Sequence, residues 1–215
     1  MTAQAAPHTE GHAVRWARLY DLGTTLLSFG RLSALHRKVV ELAGVAPGER
    51  VLDVGCGPGR LAILAASIVG PAGEASGIDP APEMVELARA KAARAGVRTR
   101  FDVGVIEALP YPDDYFHVVL SSLMLHHLPG ALKRRGLAEV GRVLQPGGRF
   151  VAVDFGAIPA GGVGHLLCVL RLRTGWDHAE SLRDMLRETG FDAVEVGPTG
   201  GRGVAFVRGR KPRGA

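Results

Sequence analysis

The chain has 215 residues and a net charge of +5, from 26 Lys and Arg against 21 Asp and Glu; 47% of it is hydrophobic and 6% aromatic. That length can bury a substantial core but leaves no room for a second full domain. The basic residues are dispersed apart from Lys133, Arg134 and Arg135 and the segment 208–215, and aromatic residues to stack on bases are few, so solvated faces and a frayed basic tail are expected rather than a nucleic-acid surface.

Residues 1–11 are small, polar and aperiodic, and read as disordered. A single domain is expected over 12–209. It starts with two helices over 12–44, broken near Gly30, whose apolar positions include Val14, Leu19, Leu22, Leu26, Leu35, Val39 and Leu42. Strand and helix then alternate: strand 51–54, helix 59–69, strand 75–79, helix 82–95 and strand 98–103. Such alternation implies right-handed crossovers and a parallel sheet. A fourth strand over 116–122 is followed by a helix over 130–143, and a fifth over 149–155 is introduced by Pro146, Gly147 and Gly148. The segment 156–175 is glycine-rich and then apolar. A helix over 179–189 and strands over 191–196 and 203–208 complete the domain, Gly200, Gly201 and Gly203 allowing the last two strands to form a hairpin. Residues 210–215 remain as the basic tail, and no internal repeat is present.

Chemistry concentrates in VLDVGCGPGRLA, residues 51–62. An apolar strand ends there in three alternate glycines and then a helix, whose N-terminal N–H groups suit an anionic ligand group. Gly57, Gly59 and Ala62 formally satisfy the dinucleotide pattern G-x-G-x-x-G/A, so the glycines alone do not choose between nucleotide cofactors. Asp53 does more: a carboxylate at the strand end repels a pyrophosphate and suits a ligand with an ammonium or sulfonium group. Asp79 follows Gly59 by 20 positions at the tip of the next strand, where an acid accepts ribose hydroxyls. Helix capping is the alternative, since Pro80 and Pro82 suit a helix entry.

DVGCGPG, GIDPAPEMVELAR, IEALPYPDDYFHVV and EVGRVLQPGGRF together resemble the class I S-adenosylmethionine-dependent methyltransferases, and within them the small-molecule branch that includes the ubiquinone and menaquinone biosynthesis C-methyltransferases. The resemblance is close over residues 14–155. It implies an α/β, Rossmann-like, doubly wound sheet of seven strands in the order 3-2-1-4-5-7-6, mostly parallel with one antiparallel edge strand, under an N-terminal helical lid. It implies S-adenosyl-L-methionine as cofactor, with S-adenosyl-L-homocysteine as product. Asp53, Gly55, Cys56, Gly57 and Gly59 would line the methionine moiety, Asp79 the ribose, Pro80 or Met84 one adenine face, and Ile106 and Glu107 the adenine edge. Ser121 joins this set, and Tyr20 resembles a tyrosine that folds over the cofactor carboxylate, a core aromatic of a lid helix being its alternative. Two positions depart from the family. Val105 replaces an aspartate that contacts the adenine amine, which puts about 1–2 kcal/mol of affinity at stake. His117 replaces another aspartate and reads as structural.

Methyl transfer is an in-line displacement on an already activated methyl group, so it asks for positioning and no metal. A base is needed only for a phenol, enol or amine acceptor, and His126 and His127, directly after the fourth strand, are the candidates; inward-facing structural histidines are the alternative. The 156–175 segment, with Ile158, Leu166, Leu167, Val169, Leu170, Leu172 and Trp176, suits a lid over an apolar, aromatic or quinone-like acceptor, as it also suits sheet packing or a homodimer contact; Trp176 and Arg173 are its first residues to probe. Cys56 and Cys168 form no disulfide framework, which favours a reducing cytoplasm. The most apolar runs fall short of the ~20 residues that span a bilayer. Besides methyl transfer to an O, C or N nucleophile, two readings stay open: a cofactor-binding relative that serves as a scaffold or catalyses another reaction, and a nucleotide-cofactor oxidoreductase.

Overall fold

The computed structural model describes residues 31–155, 175–200 and 203–214. Expectations for residues 1–30, among them the first N-terminal helix and Tyr20, and for most of the 156–175 segment fall outside the described residues.

The elements in chain order are α1 (Arg31–Ala43), β1 (Arg50–Val54), α2 (Arg60–Val69), β2 (Glu74–Asp79), α3 (Pro82–Ala95), β3 (Thr99–Val103), β4 (Phe116–Ser122), α4 (Gly130–Val143), β5 (Leu144–Phe155), α5 (Gly175–Glu188), β6 (Asp192–Pro198) and β7 (Val204–Arg210), with a single 3-10 turn at Leu125–His127. The strands form one seven-stranded sheet in the order β3-β2-β1-β4-β5-β7-β6. Pairing is parallel from β3 across to β5. The antiparallel strand is β7, inserted between β5 and β6, so that β6 is outermost.

Alternation along the strands feeds two cores. Leu52, Val54, Val119 and Phe150 pack with Leu137, Val140, Leu182 and Leu186 of α4 and α5. Val51, Val118, Leu120 and Val151 point the other way, to Val39 of α1 and Leu61 and Ala65 of α2. Burial on both faces explains the near-continuous apolar strands. Each such side chain contributes about 1.5–3 kcal/mol on leaving water.

Local signals set the helix ends near the site. α3 starts with Pro82, carries Glu83 in its first turn, and stops at Gly96, whose φ of 66° closes the last turn through its N–H to the Ala92 and Ala93 carbonyls. β5 begins at Leu144 rather than Arg149, because Phe116 pairs with Leu144 before the register shifts to Val118 and Arg149. α5 begins at Gly175, four residues earlier than expected. The frayed basic tail is corrected as well. Arg210 belongs to β7, the Lys211 N–H donates to the Gly148 carbonyl at 2.8 Å, and its ammonium reaches Asp114 and the Leu144 carbonyl, each at 2.7 Å. Main-chain pairing outweighs the tail's composition.

The sheet reverses its direction of growth between β1 and β4. The crevice above their carboxyl ends is where open α/β sheets hold ligands, and the glycine turn lies at its rim.

Candidate active site

Gly55, Gly57 and Gly59 all adopt positive φ, at 69°, 49° and 77°, each for a different reason. A Cβ at Gly59 would lie 2.7 Å from the Ala88 Cβ and 2.8 Å from the Phe101 ring, so this glycine brings α2 close to α3 and β3. At Gly55 it would strike Met124 at 2.3 Å. At Gly57 nothing stands within 4 Å, and the backbone is open to a ligand. The Gly55 and Cys56 N–H groups donate to the Ile78 carbonyl, which binds the turn to β2.

The two strand-end acids have different tasks. Asp53 is 2% exposed, and its carboxylate accepts the Ala62 N–H at 3.1 Å. It thus satisfies an orphan donor in the first turn of α2, whose N-cap, Gly59, has no side chain to do so. Burial, with a smaller push from Asp79, raises its pKa to about 7. Asp53 thus supports the glycine turn through the first turn of α2. Asp79 lies at the rim, one oxygen accepting the Gly57 N–H at 2.8 Å and the other the Ala81 N–H at 3.0 Å. The helix N-cap is Ala81. Burial raises the Asp79 pKa, while the two amide bonds oppose the shift. Each oxygen keeps a further lone pair with which to accept a diol hydroxyl.

Cys56 follows Gly55 in the turn. Its side chain turns into an apolar cluster with Ala62, Val85, Ala88 and Phe101, where burial pushes the thiol pKa up. Met84 is buried against Ala81, and Pro80 stands half-buried at the tip of β2. Ile106 is buried over Gly136 of α4, where any Cβ would lie within 2.9 Å of it. Val105 is buried beside it, and its side chain has no acceptor to offer. Glu107 follows, half-buried.

The segment 104–115 is held by residues that motif reading passed over. The Gly104 N–H donates to the Asp79 carbonyl at 3.1 Å, and Glu139 accepts the Leu109 N–H at 2.9 Å. Arg142 donates to the Leu109 and Tyr111 carbonyls at 2.9 and 2.8 Å and pairs with Asp113 and Glu139. Only the i,i+3 spacing of Glu139 and Arg142 hinted at a pair. His117 accepts the Arg50 N–H through Nδ1 at 3.0 Å, a structural bond where β4 shifts register.

Beyond β4, Leu123 takes a left-handed φ of 55°, uncommon for a leucine, with its N–H on the Val153 carbonyl. The 3-10 turn that carries both histidines follows directly. His126 is anchored twice on Asp154, its N–H 2.8 Å from one carboxylate oxygen and its Nδ1 2.5 Å from the other. His127 lies against the His126 ring, 3.9 Å between centroids. Asp154, missed in the sequence, is 28 residues from its partner and carries no motif; it lies at the carboxyl end of β5, beside β4.

Open space over Gly57 and the rim carboxylate of Asp79 fit an adenosyl cofactor. Ser121 adds to the fit: it is 1% exposed at the end of β4, opposite Val54 and Ala152, and its hydroxyl has no hydrogen-bond partner among the described residues. Among the described residues no helix is long and apolar enough to cross a membrane.

Comparison with known proteins agrees with this geometry. Residues 51–148 match the family described as "Methyltransferase domain". The chain is 32% identical over 221 residues to a ubiquinone/menaquinone biosynthesis C-methyltransferase UbiE of Stutzerimonas stutzeri, covering 91% of this chain and 86% of that protein. It is 38% identical over 168 residues to an arsenite methyltransferase of Halobacterium salinarum, spanning 73% of this chain and only 40% of that protein. The crystal structure of the [4+2]-cyclase SpnF shares the fold, with a TM-score of 0.69 at 20% identity over 96% of this chain and all of that one. The glycine turn, the rim acid and the sheet order thus belong together, and the chain is a member of the class I S-adenosylmethionine-dependent methyltransferases, of the kind represented by the UbiE proteins.

Proposed function

We propose that this protein moves a methyl group from S-adenosylmethionine to an oxygen, carbon or nitrogen nucleophile of a small apolar acceptor of aromatic or quinone-like character. The observation that carries the reading is Asp79, fixed at the tip of β2 beside the open backbone of Gly57. The quinone-like acceptor is supported by the similarity to a UbiE protein.

When bound, the cofactor supplies a methyl group already activated by a sulfonium. The chain holds that group and aims the acceptor at it. Gly57 offers a close backbone approach, and Asp79 accepts a diol. Met84 and Ile106 supply apolar walls and Glu107 a polar edge, with the Ser121 hydroxyl beneath the crevice. His126, oriented by Asp154, receives a proton when the acceptor must lose one. Holding the reacting atoms about 3–3.5 Å apart in a pocket that excludes water can remove several kcal/mol of barrier.

Calorimetry with S-adenosylhomocysteine, followed by a labelled-methyl assay over phenols, quinols and amines, tests the reading. Cofactor binding with label in a small product is expected. Tight binding of a nicotinamide dinucleotide without S-adenosylhomocysteine would overturn it in favour of an oxidoreductase. Binding without transfer to any acceptor would favour another reaction on the same scaffold.

A further inference from the structure

We propose that Met124 is a positioning residue that couples the two turns of the crevice: a cofactor lying over the glycine turn holds Met124 on Gly55, and Met124 in turn fixes the 3-10 turn at Leu125–His127. The inference rests on the methyl-transfer reading of the same site.

The glycine turn after β1 and the turn after β4 meet at one contact. The place where a Cβ at Gly55 would stand is filled by the Met124 side chain: it would fall on Cγ and lie 2.8 Å from Cβ and 3.3 Å from Cε. The stem and the methyl end of the thioether both rest on the Gly55 backbone, an approach that only a residue without a side chain admits. Gly55 is itself anchored, its N–H on the Ile78 carbonyl at 2.9 Å. On its other side Met124 opens the 3-10 turn, and its carbonyl accepts the His127 N–H at 3.0 Å. A movement of Met124 is therefore a movement of the turn that carries both histidines.

The contact works against a strained backbone. Leu123 precedes it at a φ of 55°, a conformation that a leucine keeps only where its surroundings impose it. Two contacts impose it here, the Leu123 N–H on the Val153 carbonyl at 2.8 Å and Met124 on Gly55. Release of Met124 lets Leu123 return to a negative φ and frees the turn that follows. The strain offsets part of what the contact contributes, which brings the released arrangement within reach of a ligand's differential binding.

Met124 is only partly buried and lies between the carboxyl ends of β1 and β4, where the two turns meet. A cofactor over the glycine turn covers apolar surface that Met124 presents there only while it rests on Gly55, and so favours that arrangement. Order then passes along the chain: with Met124 in place, the His126 N–H stays on Asp154 at 2.8 Å and the Leu128 N–H on the Leu125 carbonyl at 3.1 Å. The coupling is reciprocal, so a released turn weakens the hold on the cofactor.

Hydrogen exchange of the full chain, with and without saturating S-adenosylhomocysteine, tests this in peptides covering 121–128, where the Leu123, His126, His127 and Leu128 amides all have acceptors. Saturation is expected to slow exchange there about fivefold or more. Met124→Ala should abolish the slowing and lower the affinity for S-adenosylhomocysteine. Met124→Leu, which keeps the stem that meets Gly55, should restore both, with α4 exchanging alike in every variant as the control for the fold. The wild-type comparison needs no variant to fold. Failure of S-adenosylhomocysteine to bind the wild type would remove the methyl-transfer reading itself. With it bound, unchanged exchange over 121–128 in the wild type, or the same slowing in Met124→Ala as in the wild type, would overturn the coupling.

Discussion

Asp79 and Gly57 are joined at 2.8 Å across the rim of the crevice, the carboxylate at the tip of β2 accepting the amide of the turn glycine that faces open space. The bond ties the second strand to the turn that follows the first. The acid therefore shapes the cradle as well as facing a ligand.

Asp79→Ala should lower both stability and cofactor affinity. A residue touching only the ligand could be removed without cost to the fold, but this one leaves the Gly57 and Ala81 amides without their acceptor, at a cost of about 1–3 kcal/mol. Thermal melts with and without S-adenosylhomocysteine check it: a lower melting temperature and loss of the ligand-induced rise are expected. An unchanged ligand-induced rise would take Asp79 out of the site.

Two glycine substitutions should separate folding from binding. Gly59→Ala drives a methyl against Ala88 and Phe101 at a positive φ, and should destabilise by about 1–3 kcal/mol. Gly57→Ala meets no neighbour, so apart from its φ it should mainly weaken cofactor binding. Denaturant titration beside calorimetry would show the contrast, and equal losses in both assays would contradict it.

Two buried groups should give opposite pH signatures. Asp53, raised from 3.8 to about 7, binds its proton more tightly when folded, so its contribution is full below about pH 4 and is lost as pH rises to about 7. His36, lowered from 6.5 to about 4 by burial and by Arg60, contributes stability above about 6.5 that is lost as pH falls towards 4. Relative to wild type, Asp53→Asn should therefore gain stability as pH climbs through 4–7, and His36→Gln as pH drops through 6.5–4. Urea unfolding across that range reads both, and parallel curves would refute the assignments.

Arg142→Lys should loosen the 104–115 segment. Lysine cannot reproduce a fork that reaches the Leu109 and Tyr111 carbonyls, Asp113 and Glu139 at once. Losing about 1–2 kcal/mol of anchoring should weaken S-adenosylhomocysteine binding up to about thirtyfold. Faster proteolysis within the segment should accompany the loss; unchanged affinity would show that the segment does not border the cofactor.

The order of strands and helices was legible because each strand is a short apolar run and each helix keeps its period, and glycine and proline punctuate the joins. Asp79 was legible from its distance to the glycine turn. The use of Asp53 was not, because a strand-end acid that caps the helix from below looks in sequence like one that faces a ligand. Cys56 shows the same limit: a turn places its backbone and leaves the direction of its side chain to packing. His126 and His127 could not be ranked without Asp154, and that carboxylate comes within reach only when β5 pairs with β4. Lys133 reads in sequence as part of a solvated basic cluster, yet α4 buries it.

The insertion of β7 between β5 and β6 has a consequence for the chain as it is made. Among the described strands, the last in chain order is an interior one. Until Val204–Arg210 arrives, β5 shows a bare row of amides and carbonyls and β6 has no neighbour to pair with. The cofactor half, from β1 to β4, can assemble during synthesis, whereas the flank beside Asp154 closes only afterwards. A nascent chain stalled before β7 therefore carries a long apolar edge able to recruit another copy of itself, and the interval between the two halves is when this protein is most exposed to aggregation.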